Sequence, residues 1–168
     1  MKLSENGLKL LKSFEGFRPN AYLDDDRRTK DRLEHSIGYG HQIGRHEGHY
    51  LQKPISENVA SVLLQHDVKK AEEYVKQFGS FNQNQFDALV LMAYNLGSFG
   101  ENLISLLKAK NWKKVPDKMM EYVKQGDRTL PHLVKRRKIE AELFASTESN
   151  AKHLLIGVLA LIAIFFIR

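Results

Sequence analysis

Two carboxylic acids near the start of the chain, Glu15 and Asp24, are the residues whose type and spacing best suit chemistry. Breaking a glycosidic bond takes such a pair: one carboxyl protonates the leaving oxygen, and the other, ionised, activates water or stabilises positive charge on the sugar. The two must face each other across a cleft, so they come from different elements. Glu15 closes an amphipathic stretch between Phe14 and Gly16-Phe17, whose apolar character would favour a protonated carboxyl. Asp24 follows in an extended segment, in phase with Tyr22. On spacing alone, such a pair is more often two solvated surface carboxylates.

The elements that would position them read as follows. Ser4 to about Phe14 is a helix, with Ser4 as N-cap, Glu5 in the first turn and Leu8, Leu11 and Phe14 at helical spacing. Residues 17–51 mix Tyr22, Ile37, Tyr39 and Ile43 with glycines and charges, and are expected to form a small β-hairpin sheet with Asp25–Glu34 as its long turn. From Ser56 onward the pattern is helical. One helix starts at Pro54-Ile55-Ser56, with Val59, Val62, Leu63, Val68, Ala71 and Val75 inward. A second is capped by Asn82 and ends at Gly97, and shorter helices are expected at 103–108, 112–124 and 131–144. Residues 1–145 thus form one α+β domain, a small sheet plus a larger helical lobe. Residues 146–153 are a polar linker, and 154–167 an apolar helix.

Composition bounds the alternatives. The 168 residues are 42% hydrophobic and 27% charged, an ordinary globular balance. Without cysteine, disulfides and thiolate metal sites are excluded. The histidines His41, His46 and His49 read as loop residues, so no metal is assigned. The net charge of +6 suits a polyanion, but no nucleic-acid-binding motif is present, and nucleic acid is not expected as a partner. No apolar leader opens the chain. The strongly apolar run is Leu154–Ile167, flanked by Lys152 and Arg168. It is shorter than the ~20 residues of an ordinary span. It has no polar face, however, and both flanking cations can snorkel, so a transmembrane anchor in contact with lipid is the expectation.

Four blocks, FEGFRPNAYLD, HSIGYGH, NQNQFDALVLMAYNLG and LVKRRKIEAELF, resemble in order the motifs of the phage lysozymes, glycoside hydrolase family 24. The resemblance runs from Ser4 to Phe144. It implies a lysozyme-like fold and a muramidase acting on bacterial peptidoglycan, at the β-1,4 bond between N-acetylmuramic acid and N-acetylglucosamine. No cofactor is implied. Glu15 matches the general acid, Asp24 the second carboxylate, and Ser36 a position usually threonine, whose hydroxyl holds the attacking water. Gly38 and Gly40 would let the strand pass close to the cleft floor. His41 and Asp67 match a structural salt bridge. Tyr94 and Ser105 match positions lining the sugar cleft. Arg136 and Arg137 match basic residues of the last helix, one expected near Glu15 and the other on the surface. Trp112 reads as core.

Asp24 and Ser36 lie further apart than in the family, and the extra charged residues around 26–32 are read as a longer turn that leaves the strands in register. The resemblance and tail together suggest a protein of the virion membrane or host envelope, its catalytic domain facing the wall, serving virus entry or host lysis. The alternative is a non-catalytic peptidoglycan-binding or structural virion membrane protein that keeps the fold.

Overall fold

Ser4 starts helix α1, Glu5–Glu15: its Oγ accepts from the Gly7 amide at 3.0 Å, and its carbonyl accepts from Leu8 at 2.8 Å. The computed structural model describes residues 1–23 and 35–146. Asp24 and the expected turn, like residues 147–168 with the expected linker and anchor, lie outside them. Gly16, at φ +72°, closes α1 by donating to the Lys12 carbonyl. Contacts divide the chain into two units, residues 12–69 and residues 1–11 with 70–168, so the division falls inside two helices.

In the unit of residues 12–69, strands β1 (Arg18–Leu23), β2 (His35–Gly38) and β3 (His41–Gln42) form an antiparallel sheet in that order. Tyr22 pairs with Ser36 and Leu23 with His35; a bulge separates them from the Arg18–Gly38 pair. Helix α2 (Glu57–Lys76) begins in this unit. Gly38, at φ +68°, allows its approach: a Cβ there would sit 2.8 Å from the Cβ of Ala60. The apolar stripe of α2 is therefore Ala60, Leu64, Val68, Ala71 and Val75, all buried. Val59 and Val62, expected inward, are 38% and 65% exposed. They lie one or two positions off the i, i+4 row that the small Ala60 sets against the sheet. Gly40 meets no close neighbour and serves the turn between β2 and β3 rather than a close approach.

The other unit is built on α3 (Gln83–Leu96), buried almost all round through Phe86 and Ala88–Ala93. Asn82 and Gln85 form a capping box at its start. Helices α4 (Glu101–Lys108), α5 (Val115–Met119) and α6 (Pro131–Ala145) complete it, with α6 packed on α3 and α5. The helix expected to run to residue 124 stops at Met119. A hairpin of β4 (Lys124–Gln125) and β5 (Arg128–Thr129) follows, turning at Gly126 with φ +59°. The Gly-Asp turn overrides the apolar period there. Trp112, half-buried, packs between Phe81 and Phe144. Among the described residues no helix is long and apolar enough to cross a membrane.

Candidate active site

Glu15 is the last residue of α1 and is half-buried, like Phe14 before it. The turn at Gly16 leads directly to β1, so the helix end and the first strand are joined by two residues. Ser36 lies on β2, fully buried, between Tyr22 on one side and Gln42 on the other. Directly paired residues of an antiparallel ladder project from the same face, so Ser36 and Tyr22 share one. Asp24 is the residue after the described end of β1. The Arg18 guanidinium lies 4.3 Å from the centre of the Tyr22 ring.

Around this sheet lies a set of charges. His41 Nδ1 is 2.8 Å from Asp67 Oδ2 on α2, and its Nε2 is 3.2 Å from Glu47 Oε2. The Gly44 amide, donating at 2.8 Å, pulls the Glu47 carboxyl below its ordinary range against slight burial, and His41 adds to the pull. Tyr39 donates to Glu57 at 2.7 Å; burial first, and that acceptor second, push its phenol above the ordinary range. Lys12 lies 3.9 Å from Glu57 and 5.3 Å from the Tyr39 ring centre, with Phe17 packed on the same ring. Glu47 and the Lys12–Tyr39–Glu57 group escape sequence reasoning. Tyr39 is visible inside IGYGH, but its partners carry no motif of their own. Among the described residues no cluster of histidine and carboxylate side chains could hold a metal ion.

The remaining expected residues belong to the other unit. Tyr94 on α3 is half-buried and Ser105 on α4 is exposed. Arg136 and Arg137 are both buried, so the expectation of a surface charge is corrected. Arg136 donates to Glu140 at 3.1 Å and to the Leu91 carbonyl at 3.1 Å. Arg137 is held by Glu140 and by Asn95. Burial lifts the Glu140 carboxyl to about 7 although both guanidiniums oppose this, and burial lowers Arg137. Placing one acid among two arginines within four positions of one helix draws all three side chains inward together.

Residues 12–140 match the family Phage lysozyme. The chain is similar to an endolysin of Bacillus phage B103, 36% identical over 89% of this chain and 56% of that protein. It is also similar to an endolysin of Salmonella phage P22, 31% identical over 87% of this chain and 99% of that protein. Against a solved muramidase domain of SpmX from Asticaccaulis excentricus it gives a TM-score of 0.74, at 28% identity over 87% of this chain and 99% of that one. The chain spans less than two thirds of the length of several curated endolysins that it matches.

Proposed function

The chain belongs to the phage lysozyme family, and from that membership we propose that it is a peptidoglycan hydrolase, a muramidase that cuts the β-1,4 bond between N-acetylmuramic acid and N-acetylglucosamine. The observation that carries the reading is the register of the sheet. Tyr22 faces Ser36 and Leu23 faces His35, so the long insertion before β2 leaves Ser36 paired at the very end of β1, next to where Asp24 begins. With Glu15 three positions ahead of that strand, the three polar groups of a glycosidase come from one short stretch of one unit.

In this reading Glu15 gives its proton to the leaving glycosidic oxygen. The Asp24 carboxylate stabilises the developing positive charge or takes a proton from water. The Ser36 hydroxyl orients that water. His41 with Asp67 ties β3 to α2 and keeps the sheet in place, and Tyr94 and Ser105 contact the glycan. Mass analysis of fragments released from purified peptidoglycan tests the reaction. Muropeptides ending in a reducing N-acetylmuramic acid are expected, and products ending in an anhydro sugar would overturn hydrolysis.

We also propose that residues 154–167 anchor the protein in the virion membrane or host envelope, with the lysozyme domain facing the wall. Its support is the sequence: fourteen consecutive residues without a polar side chain, between Lys152 and Arg168.

A further inference from the structure

Tyr39 is the hub of a small group that brackets Glu15 in sequence. Its side chain is buried. The Lys12 ammonium lies 5.3 Å from the ring centre, and the Phe17 ring packs on the same ring with centres 5.6 Å apart. Lys12 stands three positions before Glu15, and Phe17 two after it. The Gly16 amide, donating to the Lys12 carbonyl at 3.0 Å, closes the turn between them. All of these residues, with Glu57, fall in the unit of residues 12–69.

The ring is itself fixed. It sits in the turn between β2 and β3, and its hydroxyl donates to Glu57 Oε1 at 2.7 Å. Glu57 is the first residue of α2, where the helix dipole favours a carboxylate. Burial and that acceptor push the Tyr39 phenol up, so at neutral pH it remains a donor. The ion pair in the group is the minor tie. Lys12 and Glu57 are 3.9 Å apart and the Glu57 side chain is 62% exposed, so water screens their attraction. The bond from hydroxyl to carboxylate is the stronger one.

Glu15 is the last residue of α1, and a helix frays from its ends, where backbone carbonyls lack partners within the helix. A proton donor in that place needs its backbone held, because a misplacement of ~1 Å can cost about a hundredfold in rate. Contacts from both flanks of Glu15 to one immobile ring supply that hold. We propose that Tyr39, fixed by Glu57, is a positioning residue for the Glu15 acid, seating the end of α1 through Lys12 and Phe17. The proposal rests on the reading of Glu15 as the proton donor.

Tyr39→Phe and Glu57→Ala cut the same bond from its two ends, and Glu57 is exposed enough to be changed without disturbing the core. The test is steady-state kinetics of the full chain in non-ionic detergent on soluble, uncrosslinked glycan strands, with each variant confirmed folded. Each single variant is expected to lose about tenfold in kcat with KM within about twofold of the parent. The double variant should lose no more than about twofold beyond either single one, since the bond is already gone. Glu57→Gln keeps an acceptor oxygen for the hydroxyl and should recover most of the rate. Glu73→Ala, which removes an exposed ion pair to Lys76 in the other unit, should match the parent. Parent rates in Tyr39→Phe and Glu57→Ala would overturn the proposal. So would a raised KM with kcat kept, which would move the group to substrate binding, or losses that multiply in the double variant. If Tyr39→Phe does not fold, the contrast between Glu57→Ala and Glu57→Gln decides. A parent that cuts no strands would fail the hydrolase reading itself, whereas an active parent indifferent to these changes would fail only the positioning role.

Discussion

Glu140 carries the largest single-residue stake outside the proposed site, because its carboxylate is the acceptor for two buried guanidiniums. Glu140→Ala should cost about 3–5 kcal/mol of unfolding free energy, read by urea denaturation, since both buried guanidiniums would lose their shared acceptor and a cavity would be left beside them. The pH dependence has a definite sign. Burial raises Glu140 from an ordinary 4.5 to about 7, and burial also raises Asp87. A raised carboxyl contributes stability fully below its unfolded value and loses it as pH climbs through the folded one. Unfolding midpoints should therefore fall between about pH 4.5 and 7, and an acid-side loss over that same interval would contradict the assignment. Gly38→Ala places a methyl against Ala60 at a left-handed φ, and should cost about 2 kcal/mol or more by the same measurement.

At the scale of elements, caps and punctuation were legible in the sequence and fine packing was not. Ser4, Asn82 and Gly97 could be read because cap chemistry is local. Asn82→Ala should cost about 1 kcal/mol, measured by thermal unfolding. Ser4→Ala should cost more, because Ser4 Oγ also donates to the buried Asp87 and the Ser4 amide bonds the same carboxylate at 3.0 Å. That second role joins residues 83 positions apart and leaves no local trace. On α2, Val68, Ala71 and Val75 are inward as their spacing predicts, but the first turns differ from it for a similar reason. Val59 and Val62 look like core by type, but the row is chosen by where small Ala60 meets Gly38. The β4–β5 hairpin was missed because two-residue strands have no period to detect, and Gly126-Asp127 was its only sign.

For the whole molecule, the ordered blocks around Glu15, Ser36, Asn82 and Arg136 revealed the family before any geometry, while the units and the buried charge network needed coordinates. A chain ending at residue 146 should stay in the aqueous phase on detergent partition, and the full chain should enter the detergent phase. An aqueous, monomeric full chain would remove the anchor. The central claim, that Glu15 is the acid of a wall-cutting reaction, is tested most directly by turbidity clearing of permeabilised bacteria with the parent protein and with Glu15→Gln, both confirmed folded. Clearing by the parent and a loss of about a hundredfold or more in the variant are expected; equal clearing by the two proteins would contradict an acid role for Glu15.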